Sequence, residues 1–401
     1  MVDKNLFPYD LAVVAIMKNE APYLKEWLDY HLMAGVDHFY LYDNDSPDNQ
    51  REIAKPYIDA GIVDYIDAPG KMMQLFAYND AVKRFKFRCR YMAFIDLDEF
   101  IFPKSNRSIV EVVDETLSRD SNIAGMSIHW QFFGSNGQET ADYSRGVLER
   151  FTRRAPSDDE LNKFVKTIAD PRKIKYLQTM HFAYFFEPFR AVDENFNDIS
   201  DNVLLPIAAE KMVANHYYAK SKEEYINTKM QRGWACGTIN PYDDEQFNVH
   251  DRNEIFDDGI LNYRNERAEN FSLESKTQRF NRVTEALTEN LSSSVDMETA
   301  LTCRAISTYL RKNFPADDDY WRICEEASLA AVIKSLRHMT IAEAQLFIKD
   351  FPNLLRLSYP VAKELRIAAR QIISQLKNFL QSRVMWQEFV ELDYVSDLLE
   401  E

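Results

Sequence analysis

Residues 91–100 read Y-M-A-F-I-D-L-D-E-F. The apolar run ends abruptly in Asp96, Asp98 and Glu99, so a buried strand is predicted to deliver carboxylates to a sheet edge. In extended backbone residues i and i+2 point the same way, which would set Asp96 and Asp98 on one face and Leu97 on the other. Two carboxylates so placed suit one hard cation, Mg2+ or Mn2+, of the kind that bridges protein to nucleotide phosphates. In a chain with 64 Asp and Glu, Asp-x-Asp carries little weight alone; its weight comes from the elements around it.

Those elements alternate. Residues 11–16 (L-A-V-V-A-I) form an apolar run of strand length, followed by Lys18, Asn19 and Glu20 and by Pro22 at a first helical turn. Leu24, Trp27, Leu28, His31 and Leu32 share one helical face, and Gly35 supplies the stop. A second strand over 39–42 runs into Asp43, Asn44 and Asp45, and a helix carrying Ile53, Ala54, Tyr57 and Ile58 ends near Gly61. A third strand over 62–66 precedes a helix over 72–87. This alternation predicts an α/β fold with a mainly parallel sheet flanked by helices, which binds ligands at the carboxyl ends of its strands. Three polar clusters fall at those ends: 18–20, 43–45 and 96–99.

Asn19-Glu20 is followed by Tyr23-Leu24, Glu26-Trp27-Leu28 and Tyr30-His31, then by Gly35-Val36 and the run from His38 to Asn44. Gln74 with Ala77-Tyr78, the 94–100 segment, Trp130 with 133–137, Lys166-Thr167-Ile168, His181-Phe182, His216-Tyr217, Lys220-Ser221 and Glu223-Glu224 complete the series. This ordered set, over roughly residues 8–235, resembles glycosyltransferase family 92 and its bacterial relatives, nucleotide-sugar enzymes of the GT-A fold.

The resemblance implies a Rossmann-like GT-A domain and a metal-dependent, inverting transfer of a sugar, galactose in characterised members, from a UDP-sugar. The acceptor expected is a cell-surface glycan or lipid-linked oligosaccharide. Asp96 and Asp98 would hold Mn2+ or Mg2+, with His216 completing the site and His181 as the alternative; His129 is the third histidine of the region. Asn19, Glu20, Asp43, Asn44, Asp96 and Lys220 would bind the nucleotide sugar, with Lys222 and Arg232 as further phosphate partners. Trp130, Phe133, Gly134 and Ser135 would wall the sugar and acceptor pocket. Inversion needs a carboxylate base, for which Glu187, Asp193 and Asp142 are alternatives. Glu187 comes first because Phe185, Phe186, Pro188 and Phe189 would surround it with apolar surface and raise its pKa.

Whole-chain properties bound the setting. The 401 residues, 46% hydrophobic, suffice for one catalytic domain, residues 1–263, and a smaller appendage, residues 264–401. The net charge of −16 argues against nucleic acid as a partner. The four cysteines, Cys89, Cys236, Cys303 and Cys324, show no metal spacing or disulfide framework. With no signal-peptide pattern or membrane-length apolar run, a cytoplasmic bacterial enzyme is expected. Basic segments at 83–90, 150–154 and 163–176 read either as a solvated face or as a peripheral contact with the inner face of the membrane.

Residues 240–265 read as a loop or linker. Helical stretches then follow at 273–291, 297–312, 319–338, 341–350 and 361–387, an α-helical appendage suited to packing or homo-oligomer formation. Two rival functions carry distinct signatures. Haloacid-dehalogenase-like phosphatases also place Asp-x-Asp after an apolar strand, but with Thr or Val where Phe100 stands here. A non-catalytic sugar-nucleotide-binding or scaffold module would have no use for both Asp96 and Asp98.

Overall fold

In a computed structural model describing residues 2–231, 242–269, 271–314 and 318–336, with isolated residues between 340 and 378, the apolar run at 11–16 forms the middle of β1 (Tyr9–Met17). Then come α1 (Ala21–Met33), β2 (His38–Asp43), α2 (Gln50–Asp59), β3 (Val63–Asp67), α3 (Gln74–Phe85), β4 (Cys89–Phe94), β5 (Glu99–Pro103), α4 (Ile109–Leu117) and β6 (Ile123–Phe132). A short helix α5 (Val147–Arg150) leads to β7 (Arg153–Arg154), β8 (Val165–Ala169), β9 (Ile174–Leu177), β10 (Ala183–Phe185), β11 (Arg190–Val192), β12 (Asp198–Ile199) and β13 (Met212–His216). The series closes with α6 (Lys222–Tyr225), a π-helical turn (Ile226–Met230), α7 (Asp244–His250), β14 (Ile255–Phe256) and α8 (Gly259–Ala268). Arg232, Cys236 and most of the stretches at 341–350 and 361–387 lie outside the described residues.

The main sheet runs β12-β11-β6-β8-β4-β1-β2-β3, and β13 joins β6 to β5. Strands β3, β2, β1 and β4 are mutually parallel, whereas β8 runs antiparallel to β4 and β6. This is the mainly parallel, helix-flanked sheet expected from the alternation of elements. Chain order reverses between β1 and β4, and a crevice at the carboxyl ends of such a pair is where open α/β sheets bind ligands.

Period-two alternation divides β1 between two cores. Leu11, Val13, Ala15 and Met17 pack with Trp27 and Leu28 of α1 and Val113 of α4, whereas Ala12 and Val14 pack with Ala77, Tyr78, Ala81 and Phe85 of α3. Burial on both faces is why the strand reads as an uninterrupted apolar run. Helix α1 stops where predicted. Gly35 adopts φ +107°, and a Cβ there would lie 2.9 Å from Ser108 Cβ, so both the backbone and the close approach require glycine.

Contacts divide the chain into one unit spanning Tyr9–Leu273 and a second formed by Met1–Pro8 with Glu274 onward. The 263/264 boundary read from sequence falls inside α8, whose Ile260 and Tyr263 belong to the main core. Of the expected linker at 240–265, the described residues from 242 onward instead carry α7, β14 and most of α8. Asp243 caps α7 through Gln246 N–H, while the Asp251 and Asn253 side chains accept from Ser135 N–H and Asn136 N–H. Polar residues that read as loop chemistry are here fastening a neighbouring loop. The second unit contains α9 (Lys276–Leu291), α10 (Met297–Asn313) and α11 (Asp318–Leu336), close to the helices expected from sequence. Leu6 packs with Val283, Leu287, Ile306 and Trp321 in its core. Among the described residues no helix is long and apolar enough to cross a membrane.

Candidate active site

The acidic motif is presented by a turn rather than by extended backbone. β4 ends at Phe94, and Glu99 N–H bonds back to the Asp96 carbonyl at 3.1 Å before β5 begins. Leu97 and Asp98 form the turn itself, so the alternation of extended backbone predicted for Asp96 and Asp98 does not apply. The apolar pattern continues into β5, which hid the chain reversal.

Helix α1 anchors this turn from below. Trp27 Nε1 donates to the Glu99 carbonyl at 2.8 Å and Tyr30 Oη to the Ile101 carbonyl at 2.8 Å. His31 accepts from Ile101 N–H at Nε2, so its proton sits on Nδ1 and is given to the Trp27 carbonyl at 2.8 Å. Strand β13 lies beside β5 in a register that sets His216 opposite Glu99.

The two motif aspartates have different surroundings. Asp96 Oδ1 accepts from Gln74 Nε2 at 2.6 Å and Tyr78 Oη at 3.3 Å, and Oδ2 accepts from Lys166 Nζ at 2.9 Å. Lys166, in the middle of buried β8, also reaches Glu99 Oε1 at 3.3 Å, and Trp130 Nε1 donates to the same oxygen at 2.9 Å. Burial, against the pull of Lys166, pushes the Glu99 carboxyl up to about 8. Asp98 has His216 Nε2 3.5 Å from Oδ1 and Lys229 Nζ 2.7 Å from Oδ2. Burial alone would raise the Asp98 pKa, but Lys229 and His216 hold it well below the usual carboxylate range. Burial pushes His216 down despite the neighbouring Asp98 carboxylate.

Of the expected ligand set, Asp98 and His216 are in contact, while Asp96 is turned to Gln74 and Lys166. His181 sits against Trp130 and Phe164 with ring centroids 4.9 and 5.4 Å away, and burial with Lys166 nearby pushes it down to about 3. His129 faces the Ala208 and Leu204 carbonyls. No group of three His, Cys, Asp or Glu side chains among the described residues is arranged to hold a metal ion. One carboxylate and one imidazole nevertheless fit a divalent ion of the nucleotide-bridging kind, which takes one or two protein ligands and fills the rest of its shell with phosphate and water.

At the β1 end, Asn19 adopts φ +58° and its buried Oδ1 has no hydrogen-bond partner. Glu20 is buried at the start of α1, its N–H bonded to Gln50 Oε1. Asp43 accepts from Ser46 N–H, Gln50 Nε2 and Tyr65 Oη, and Asn44 Nδ2 donates to the Ala68 and Gly70 carbonyls, so both fasten loops around the crevice. Lys220, at φ +51°, lies 4.2 Å above the Tyr23 ring; burial pushes its pKa down, countered by Glu20 and Asp98. Lys222 instead pairs with Asp244.

Half-buried Trp130 contacts His216 at 4.5 Å between ring centroids. Phe133, expected as a pocket wall, is fully buried in the main core. A Cβ on Gly134 would meet the Arg252 carbonyl at 2.4 Å, and Ser135 Oγ accepts from Gly137 N–H, so both build the loop. Glu187 is exposed, so the flanking aromatics do not enclose it. Asp193 accepts from Asn195 and Asn197 N–H to hold its own turn, and Asp142 bonds Ser144 and Arg145. The basic segments are largely paired: Arg88 with Asp64, Arg90 with Asp10 and Asp114, and Arg150 with Glu224.

Lys166 stood among the landmark residues without a role; a single lysine inside the apolar run V-K-T-I-A was the available signal. Lys229 gave none, because nothing in the sequence marks a π-helical turn.

Among curated proteins, a glycosyltransferase family 92 protein of Ricinus communis is 24% identical over 187 residues, 46% of this chain and 33% of its own. The galactan beta-1,4-galactosyltransferase GALS2 of Arabidopsis thaliana is 30% identical over 100 residues, 22% of this chain and 19% of its own. The chain thus spans a third or less of the length of these relatives. The crystal structure of S. aureus TarS 1-349 in complex with UDP is similar at a TM-score of 0.31 and 11% identity, covering 83% of this chain and 93% of that one. The model of one family matches residues 13–250, more than half of the sequence and every crevice residue described above from Asn19 to Lys229: the chain belongs to glycosyltransferase family 92.

Proposed function

We propose that this protein transfers a hexose, galactose first among candidates, from a UDP-sugar to a hydroxyl of a glycan or lipid-linked oligosaccharide, with inversion and with Mn2+ or Mg2+ as cofactor. The observation that carries this reading is the convergence of Asp98, His216, Lys220 and Lys229 at the carboxyl end of the β1/β4 switch point. Family membership favours a glycosyltransferase over the phosphatase and scaffold alternatives.

Asp98 and His216 are the residues that would hold the ion, and when bound it supplies Lewis-acid neutralisation of the leaving diphosphate. Lys220 adds fixed positive charge at the same edge, already desolvated and therefore effective without reorganisation. Asp96, held by Gln74 and Lys166, keeps its carboxylate oriented for a donor hydroxyl. Asn19 Oδ1, a buried acceptor without a partner, suits an N–H or O–H of the nucleoside. Trp130, half-buried beside His216, would supply apolar wall to a sugar ring. Asp193 is buried and committed to its own turn, which leaves Glu187 and Asp142, both open to solvent, as the candidate bases.

Titration with UDP and with GDP, with and without Mn2+, tests the reading: UDP should bind more tightly in Mn2+ and raise the melting temperature more than GDP does. Equal stabilisation by both nucleotides would remove the case for a uridine pocket.

A further inference from the structure

The carboxylate best placed to hold a divalent ion already carries a cation. Lys229 Nζ lies 2.7 Å from Asp98 Oδ2, and the pair is buried, with side-chain exposures of 7% and 10%. The ammonium also rests 3.9 Å above the centre of the Tyr218 ring. The Asp98 contact is charge-assisted and the ring contact is a cation–π interaction, so this is a specific resting place for the lysine. Lys229 belongs to the π-helical turn Ile226–Met230, which follows directly on α6. That helix begins with a capping box between Ser221 and Glu224, and Glu224 is clamped by both terminal nitrogens of Arg150 at 2.8 Å. Its base is thus firmly fixed, while single π turns inside helices recur at functional sites.

Mg2+ binds carboxylate oxygen at about 2.0–2.1 Å, and so cannot take Asp98 Oδ2 while an ammonium is hydrogen-bonded there without strong cation–cation repulsion. An ion on Oδ2, or on both oxygens, must displace Lys229, and one on the Oδ1 that faces His216 would still be repelled by an ammonium held on the same carboxylate. The displaced ammonium, held in a desolvated place, needs another anion, and the diphosphate that arrives with the ion is one.

We infer that Lys229 is a ligand for the donor diphosphate, held on Asp98 until the sugar nucleotide arrives, so that the divalent ion and the nucleotide bind cooperatively. This rests on the reading that Asp98 holds the ion. It adds a residue to donor binding, and it gives the bare protein a weak affinity for free metal that nucleotide strengthens.

The test is calorimetric titration of Mn2+ into the full chain and into Lys229→Met, each with and without UDP. Without UDP, Lys229→Met should bind Mn2+ about tenfold more tightly than the parent, because the competing ammonium is gone. With UDP, the parent should gain about tenfold or more in Mn2+ affinity, and this gain should shrink in the variant together with its UDP affinity. The variant should also melt lower in EDTA and recover with Mn2+, since the ion replaces the missing charge beside Asp98. A merely structural lysine would give the opposite: weaker Mn2+ binding without UDP.

Equal or weaker Mn2+ affinity in a folded Lys229→Met, with UDP-dependent Mn2+ binding intact in the parent, overturns the inference and leaves the metal reading standing. No Mn2+ binding to either protein, with or without UDP, overturns both. If Lys229→Met does not fold, Lys229→Gln takes its place, with the same expected result and the same overturning ones.

Discussion

In the proposed function Asp98 is the residue on which the chemistry turns, and its surroundings change what its removal should do. From sequence alone, Asp98→Asn is a change of charge at constant volume. In the structure it also strips Lys229 of its partner inside a buried site, so a stability cost of about 1–3 kcal/mol should accompany the loss of function. Transfer from a UDP-sugar should fall at least about a hundredfold, or about 2.7 kcal/mol in transition-state stabilisation. Circular dichroism should still report a folded chain, and full activity of the variant would refute the assigned role. At this scale residue type and order singled out Asp98 and His216, and the structure sets the two in contact, without testing the ligand role expected of them. The sequence was silent about Lys229 and only suggestive about Lys166, whose roles come from contacts between segments far apart in the chain. Phe133, Gly134 and Ser135 misled for the opposite reason: an aromatic–glycine–serine run looks like a pocket wall, and burial turned it into core and loop framework.

Strands and helices were more legible than the residues they carry. Buried parallel strands write themselves as apolar runs, and α1 was bounded by Pro22 and Gly35 as drawn. The turn at 96–99 was missed because apolar residues continue on both sides of it, and α7 and α8 because their caps resemble loop chemistry. The link between α1 and the motif turn has a pH signature. His31 is fully buried and neutral, and burial pushes it down to about 3. The unfolded chain therefore binds a proton that the folded chain refuses between roughly pH 6.5 and 3, and the corresponding stability is complete above pH 6.5 and lost as pH falls through that window. Between pH 7.5 and 5.5 this one group should remove about 1.4 kcal/mol from unfolding of the catalytic unit. His31→Gln, which can still accept from Ile101 N–H, should flatten the slope of stability against pH by about half a proton on average over that interval. Denaturant titrations at several pH values provide the measurement, and an unchanged slope would mean that His31 takes up its proton as readily in the folded state as in the unfolded one.

For the whole molecule the question is what the helices beyond Glu274 contribute. The crevice residues from Asn19 to Lys229 all belong to the unit Tyr9–Leu273, whereas Leu6 is fully buried among α9, α10 and α11. The amino-terminal segment therefore serves the helical unit, a pairing of the two chain ends that no local pattern announces. Leu6→Ala should destabilise that unit by about 2–5 kcal/mol, the usual cost of truncating a buried leucine to alanine. Hydrogen exchange should accelerate in α9, α10 and α11 and remain unchanged in β1, β2 and β4. UDP affinity in the presence of Mn2+ should stay within about threefold of the parent, since none of the proposed donor ligands lies in the perturbed unit. A parallel loss of UDP binding and helical protection would mean that the carboxyl-terminal helices help to shape the nucleotide site. Faster exchange with binding intact would instead confine their role to the acceptor or to assembly.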